Sequence, residues 1–143
     1  MKNTPIYFDI DGKIYSPDCC APLENATRQQ EIEMHTLARD HYPGIRLKEN
    51  ELENIKSIGY WNATKQQSWD LEWHYNEGIE ICFLEAGQVD LFIGDEILPL
   101  HPQYLSITRP WLRHKIGHIG RSKLHWFIID VGVRFPHQDW IWP

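Results

Sequence analysis

The clearest pattern in the sequence is a period of two in the hydrophobic positions, which begins near residue 45 and continues almost to the end. Short segments with this alternation are separated by turn residues, and we predict strands at 69–73, 79–84, 89–93, 96–100, 104–108, 113–116 and 124–133. The pair Gly94-Asp95 is placed to turn the chain between two of them. Strands of this length and spacing, without a βαβ rhythm, predict a mainly β domain built as a sandwich or barrel.

The first 50 residues show two other patterns. An Asp-Gly pair at 11–12 is flanked by β-forming residues from 6 to 15, which predicts a small hairpin. Thr27 and Gln30 fit a capping box, and helical spacing follows at Met34, Leu37, Ala38 and His41. Because Pro43-Gly44 would end such a helix, we predict one short helix over 27–42.

Length and composition indicate one globular domain. The chain has 143 residues, and we divide it into an N-terminal arm (1–50) packed on a barrel (51–143). A net charge of -6 argues against nucleic-acid binding by this chain itself. No apolar run reaches the roughly 20 residues that span a membrane, no secretory signal is visible, and three cysteines give no disulfide framework. We therefore expect a cytoplasmic protein without membrane contacts.

Polar side chains that could form a site are concentrated around residue 76. His74, Asn76 and Glu80 all occupy even positions, so on an extended chain they point to the same side, and Cys82 shares their parity. The break at 76–78 weakens this argument. Asp70 has the same parity too, which would bring further charge inside, and a bulge or bend near His74 would resolve the conflict.

This stretch resembles the first motif of the cupin superfamily, which reads His-x-His, three or four residues, Glu, six residues, Gly. His74, Asn76, Glu80 and Gly87 fall at those spacings, with Asn in place of the second His. The second motif is matched by Pro102, without its usual Gly, and by His114. The resemblance covers about residues 58–133 and implies a double-stranded β-helix, the jelly-roll barrel of cupins.

Within that superfamily the chain looks most like the N-terminal sensor domain of AraC-type transcription regulators. The phrase His-x-Asn-x-x-x-Glu-Ile, with a later Pro-x-x-x-His, is typical of those domains. The resemblance implies an N-terminal arm that acts as a lid, a small polar effector such as a sugar, no metal or other cofactor, and a homodimer. It also implies that DNA is contacted only through a helix-turn-helix domain, which this chain does not contain.

On this interpretation the site binds a ligand and performs no catalysis. Hydrogen bonds would come from His74, Asn76, Glu80 and His114, and an anionic group could meet Arg113. Tryptophans near these residues could stack on the ligand, namely Trp73, Trp111 and Trp126. Trp140 and Trp142, after the last predicted strand, would cover an end of the barrel or pack on a neighbour.

Three alternatives remain open from the sequence. His74, Glu80 and His114 could hold a divalent metal in a small cupin isomerase, epimerase or dioxygenase. The polar residues could instead satisfy only one another. The chain could also be a dimerisation module with a vestigial pocket, which would require an apolar outer strand face.

Overall fold

The computed structural model describes residues 7–8, 14–15 and 20–131, and the fold is that of these residues. They form a mainly β structure with one short helix. In chain order the elements are β1 Tyr7–Phe8, β2 Ile14–Tyr15, α1 Ala21–Arg28, β3 Glu33–Ala38, β4 Ile45–Arg46, β5 Ile55–Ala63, β6 Ile79–Gly87, β7 Val89–Ile93, β8 Glu96–Leu100, β9 Leu105–Thr108, β10 His114–Gly117 and β11 Ser122–Ile129. No helix in the described ranges is long and apolar enough to cross a membrane.

Two sheets build the body of the fold. The larger sheet has the order β4-β3-β5-β11-β6-β9, and the smaller one has the order β10-β7-β8. All pairs in the larger sheet are antiparallel except β3 with β4. The two sheets do not close into a continuous barrel, and their arrangement is that of a jelly roll, as the resemblance implied.

The core lies between the sheets and follows the predicted alternation. Along β11 every second residue is buried from Ser122 to Ile128, and β6 shows the same period. Leu84 and Leu124 of the larger sheet and Val89 of the smaller one are almost completely buried. Each such aliphatic side chain contributes roughly 2 kcal/mol by leaving water, so the alternation holds the sheets together.

The predicted strands between 79 and 129 are confirmed to within a few residues. β7 and β8 form a hairpin in which Ile93 pairs with Glu96 across Gly94-Asp95, and Gly94 has a φ of 57°. Near the N-terminus, Tyr7 pairs with Tyr15 in an antiparallel ladder, in agreement with the predicted hairpin. The Asp-Gly turn of that hairpin lies outside the described residues.

The helix predicted over 27–42 is wrong. Helix α1 begins at Ala21 and ends at Arg28, and Thr27 lies in its last turn, where its hydroxyl donates to the Leu23 carbonyl at 2.8 Å. Residues 33–38 form strand β3, in which Thr36 and Ala38 are buried and Leu37 is exposed. Because β3 and β4 belong to the larger sheet, the division of the chain at residue 50 does not follow a boundary in the structure.

The strand predicted over 69–73 is also wrong, because these residues form no regular strand. This segment is extended beside β10 without regular pairing, and the Leu71 N–H donates to the Ile116 carbonyl at 2.9 Å. It reaches the smaller sheet through an isolated bridge between His74 and His114, whose backbones exchange hydrogen bonds of 2.9 and 3.1 Å. The segment thus brings His74 beside His114 without forming a full strand.

Gly87 lies at a position where the backbone requires glycine. It has a φ of 90°, a conformation that other residues rarely adopt, and a Cβ atom there would clash with the carbonyl oxygen of Arg121. The glycine therefore allows the end of β6 to approach the start of β11.

Candidate functional site

The even positions from 74 to 84 are all buried, which confirms the predicted common orientation of His74, Asn76 and Glu80. The break at 76–78 does not disturb the alternation. Gly78 lies so close to β11 that a Cβ atom there would clash with the Ile129 carbonyl, and this close approach holds the segment in line with β6.

The alternation of inward and outward side chains is interrupted once, just before His74, where the sequence predicted a bulge or bend. Leu71 lines the cavity, whereas the carboxylate of Asp70 accepts hydrogen bonds from Lys115 Nζ at 3.0 Å and from the His118 N–H at 2.7 Å. Leu71 and His74 are separated by an odd number of positions, so both can face inward only if the chain bends between them. That bend is at Trp73, and it keeps Asp70 out of the site.

Glu80 is the centre of a buried polar cluster. Its Oε2 lies 2.5 Å from His114 Nε2, 2.6 Å from Asn76 Nδ2 and 4.0 Å from His74 Nε2. Its Oε1 accepts from the thiol of Cys82 at 3.4 Å, which confirms that Cys82 lies beside the site. We call Glu80, His74, Asn76 and His114 the Glu80 cluster.

The two imidazoles are oriented in the same way by the backbone. His74 Nδ1 lies 2.8 Å from the Glu72 carbonyl, and His114 Nδ1 lies 2.7 Å from the Leu112 carbonyl. A carbonyl can only accept, so both Nδ1 atoms carry a proton and both Nε2 atoms face Glu80. The contact of His114 Nε2 with Glu80 also needs a proton between the two groups, which makes it a short, charge-assisted hydrogen bond.

Asn76 is held from both sides. Its Nδ2 donates to Glu80, and its Oδ1 accepts a hydrogen bond of 3.2 Å from the hydroxyl of Tyr42. Both polar atoms of the amide are therefore engaged within the protein. Tyr42 was not identified from the sequence, where nothing connects it with a residue 34 positions away.

Burial and charge act in opposite directions on Glu80. Burial alone would raise the pKa of Glu80, but the charge of His114 and the hydrogen bonds from His114 and His74 outweigh it, and the pKa lies well below its usual range. Burial, reinforced by the negative charge of Glu80, raises the pKa of the Cys82 thiol. The pKa of Tyr42 is raised by burial and by Glu77 and Glu80. Glu80 is thus a carboxylate close to the neutral thiol of Cys82 and the neutral phenol of Tyr42.

A small cavity adjoins the cluster. Its volume, measured as the space open to the centre of a water molecule, is about 50 Å³. One wall comes from the N-terminal segment, through Cys20, Leu23, Tyr42 and Pro43. The remaining lining residues are Ser57, Trp61, Leu71, His74, Asn76, Glu80, Ile116, Leu124, Trp126 and Ile128, so a polar end faces a mainly apolar interior.

Two tryptophans, Trp61 and Trp126, line the cavity, and each donates a hydrogen bond to a serine on the other's strand. Trp61 on β5 donates to the hydroxyl of Ser122 on β11 at 3.2 Å, and Trp126 on β11 donates to the hydroxyl of Ser57 on β5 at 3.0 Å. Their ring centroids lie 6.0 Å apart. Trp126 was predicted to line the pocket, whereas Trp61 was not recognised.

The other predicted ligand contacts do not line this cavity. Trp73 is half-buried, with the guanidinium of exposed Arg113 4.6 Å above its ring. Trp111 is half-buried with a φ of 58°, and its N–H donates to the Asn76 carbonyl at 2.8 Å. A contact of these residues with a ligand stays a prediction. Trp140 and Trp142 lie outside the described residues.

The cluster also has the geometry to hold a metal ion. One potential ligand atom from each of His74, Glu80 and His114 lies within 4.8 Å of the others. Two imidazoles and one carboxylate are a common ligand set for divalent transition metals, and anchoring of Nδ1 is the usual arrangement behind metal-bound histidine. Asn76 does not extend this set, because its oxygen accepts from Tyr42 and its nitrogen cannot bind a cation.

The fold is that of the cupins, and solved cupin structures match it over about 70% of this chain. A predicted oxalate decarboxylase from Thermotoga maritima matches with a TM-score of 0.52 and 16% identity over 70% of this chain and 81% of that one. An RmlC-like cupin from Desulfovibrio desulfuricans matches with a TM-score of 0.50 and 16% identity over 71% and 84%. A cupin superfamily protein from Desulfitobacterium hafniense matches with a TM-score of 0.50 and 12% identity over 68% and 78%.

At these identities the similarity shows the fold alone. No model of a known protein family matches the sequence, and no curated protein matches it either.

Proposed function

We propose that this chain is a ligand-sensing domain of the AraC type, which binds a small polar molecule beside the Glu80 cluster in the cytoplasm and performs no chemistry on it. The proposal starts from the sequence phrase His74-x-Asn76-x-x-x-Glu80-Ile. Its link to DNA would be a helix-turn-helix domain outside this sequence.

The observation that carries the proposal is the hydrogen bond between Tyr42 and Asn76. Through it the N-terminal segment contacts the polar end of the cavity directly, and Cys20 and Leu23 supply more of the same wall. A molecule that reaches Glu80 therefore touches the segment that would report its presence. This is the physical requirement for a sensor, because a ligand shifts a conformational equilibrium only through contacts that differ between the two states.

The size of the cavity supports the same coupling. About 50 Å³ is far below the roughly 300–1,000 Å³ of pockets that take drug-sized ligands. A molecule of more than a few non-hydrogen atoms, such as a sugar, would have to displace α1 or the 42–43 turn. Binding and movement of the N-terminal segment would then be one event.

The chemistry of the lining indicates the kind of ligand. Hydroxyl groups could donate to Glu80 and accept from Asn76, while one apolar face of the ligand packs against Trp126. A neutral or weakly polar molecule with hydroxyl groups at one end fits better than an anion, because the carboxylate of Glu80 would repel an anion.

The test uses protein treated with EDTA and a panel of neutral pentoses and hexoses, with uronic acids as anionic controls that should bind more weakly. A binding sugar should raise the Tm by several degrees at saturation and slow amide exchange in α1. Glu80→Gln should abolish both effects, whereas Glu85→Gln should keep them, because Glu85 is exposed and contacts His125 instead. Binding that leaves exchange in α1 unchanged would contradict the sensor role.

A metal-dependent cupin enzyme is the second candidate, favoured by the two anchored imidazoles. His74, Glu80 and His114 would hold the ion, and Asn76 would orient the carboxylate. A bound divalent metal would supply a Lewis acid that polarises a substrate oxygen. Metal analysis of protein purified without added metal separates the two candidates. The enzyme requires a stoichiometric transition metal that both His74→Ala and His114→Ala remove, whereas the sensor requires loss of effector affinity without metal.

A further inference from the structure

The outer face of the six-stranded sheet carries an apolar row that crosses every strand. The strand register places side chains directly opposite one another, and paired residues point to the same face of a sheet. Phe127 of β11 pairs with Ile58 of β5 on one side and with Ile81 of β6 on the other. Continued to both edges of the sheet, the row consists of Ile45, Leu37, Ile58, Phe127, Ile81 and Ile107.

A second row, made mainly of rings, runs beside it. His35 stacks on Tyr60 with centroids 5.2 Å apart, Tyr60 lies 5.6 Å from His125, and His125 lies 5.9 Å from Phe83. Leu105 pairs with Phe83 and completes the row at the β9 edge. Two rows of apolar and aromatic side chains thus cover the same face, which we call the outer face.

In the described part of the chain the outer face is half-buried at its centre and exposed at its edges. Ile45 is 72% exposed at one edge, and Leu105 and Ile107 are 61% and 53% exposed at the other. The charged groups lie beside the ring row and not in the apolar row: Lys123 Nζ lies 3.2 Å from Glu85, and Glu33 lies 2.9 Å from His35. The apolar row therefore offers contact area that contains no charged side chain.

The extent of this face approaches what an interface needs. Six strands about 4.8 Å apart span about 24 Å between the outer two, and the residues of one face repeat about every 6.8 Å along a strand. From these spacings, the apolar row, the ring row and the adjoining Ile79–Ile129 pair, with the side chains at the rims, cover an area on the order of 600 Å². A standard interface uses roughly 800 Å² of each partner, and contiguous apolar patches above a few hundred Å² mark interaction sites.

We propose that a second copy of this chain packs on the outer face, so that two six-stranded sheets meet face to face across a two-fold axis. A two-fold interface brings the same patch of both subunits together, and a row that is apolar from one edge to the other can face itself without opposing like charges. Two sheets packed in this way keep their strands within about 30° and interdigitate their side chains. This interface does not depend on the proposed sensor function.

The test compares two substitutions of matched exposure. Ile107 is 53% exposed on the outer face, and Ile97 is 51% exposed on β8 of the other sheet. Either residue can become Glu at little cost to a monomer, because both are half exposed at sheet edges. Sedimentation velocity from 1 to 100 µM should show a wild-type dimer, a dissociation constant raised at least tenfold in Ile107→Glu, and a change below twofold in Ile97→Glu.

A second variant keeps the test decisive if Ile107→Glu fails to fold. Ile45→Glu lies at the opposite edge of the row, at the most exposed position on this face, and should also weaken the dimer. A wild-type chain that stays monomeric at 100 µM would overturn the proposal and indicate that another segment or partner covers the face. Equal dissociation by Ile97→Glu, or an unchanged constant in the folded outer-face variants, would overturn it as well.

Discussion

The carboxylate of Glu80 lies 2.5 Å from the imidazole of His114, although the two residues are 34 positions apart and lie on strands of different sheets. This ion pair joins the six-stranded sheet to the three-stranded sheet inside the core. It is therefore both the centre of the candidate site and a link between the two layers of the fold.

Replacing Glu80 with Gln should destabilise the protein by about 3 kcal/mol, because it breaks the buried pair of Glu80 and His114 by removing one partner. In the wild type the lowered pKa of Glu80 contributes stability that is present above about pH 4.5 and is lost only as the pH falls toward the folded value. The variant lacks this carboxylate, so its stability should fall less than that of the wild type as the pH drops below about 4.5. Urea unfolding at neutral pH measures the loss, and unfolding in acid measures the difference in pH dependence.

The control for this experiment is Glu85→Gln. Glu85 also contacts a histidine, with His125 Nε2 at 2.7 Å, but both side chains are partly exposed. Exposed ion pairs contribute little, so the midpoint should stay within error at every pH. Equal losses in the two variants would show that the core position of Glu80 has no special importance.

Replacing Asn76 with His should create a stronger metal site. The amide nitrogen of Asn76 lies 2.6 Å from Glu80, so an imidazole at this position would bring a third ring nitrogen to the cluster and restore the usual cupin motif. Titration with Co²⁺, followed by its visible absorption, should show an affinity at least tenfold higher than in the wild type. Asn62→His, on the opposite side of the sheet, should leave the affinity unchanged.

Gly87 and Gly94 both have positive φ, but only one of them has a close neighbour. Gly87→Ala forces a methyl group onto the Arg121 carbonyl and should cost about 3 kcal/mol or more. Gly94→Ala meets nothing within 4 Å and should cost about 1 kcal/mol, from backbone strain alone. Thermal unfolding of both variants separates steric clash from strain. Similar Tm values would contradict this explanation of the motif glycine.

Glu77 is expected to oppose folding at neutral pH. Burial raises its pKa although Lys56 lies 3.5 Å away, because that lysine is shared with Asp40 and Asp130. A raised pKa means that the folded state favours the protonated acid, so this contribution to stability is lost as the pH rises through the folded pKa. Glu77→Gln should therefore raise the Tm by a few degrees at pH 8 and have no effect well below pH 4.5. A lower Tm at pH 8 would show that the ion pair with Lys56 outweighs burial.

The strands that could be predicted are those in which local sequence and tertiary structure agree. In β6 half-buried and buried residues alternate from Ile79 to Leu84, and β7 and β8 are joined by a Gly-Asp turn that sets their register. β3 could not be recognised, because its inward face includes the polar residue Thr36, whose hydroxyl is satisfied by the Ile58 carbonyl at 3.2 Å. Without that partner in view, Met34, Leu37 and Ala38 match helical spacing better than a strand.

The candidate site also has one part that could be predicted from the sequence and one part that could not. Parity places His74, Asn76 and Glu80 together, and the resemblance to cupins adds His114, so the polar end could be predicted from the sequence. The apolar wall could not be predicted. It is formed in part by Tyr42, Cys20 and Leu23, which reach the cavity because of the path that the N-terminal segment takes, and no local sequence pattern encodes that path.

The reciprocal hydrogen bonds of Trp61 and Trp126 have a practical consequence. Both indoles form part of the cavity wall, and each is fixed by a serine of the neighbouring strand. Anything that enters the cavity changes the polarity around two rigid fluorophores. The protein thus contains its own optical probe, and the emission lost in Trp61→Phe or Trp126→Phe would identify which indole reports that the cavity is filled.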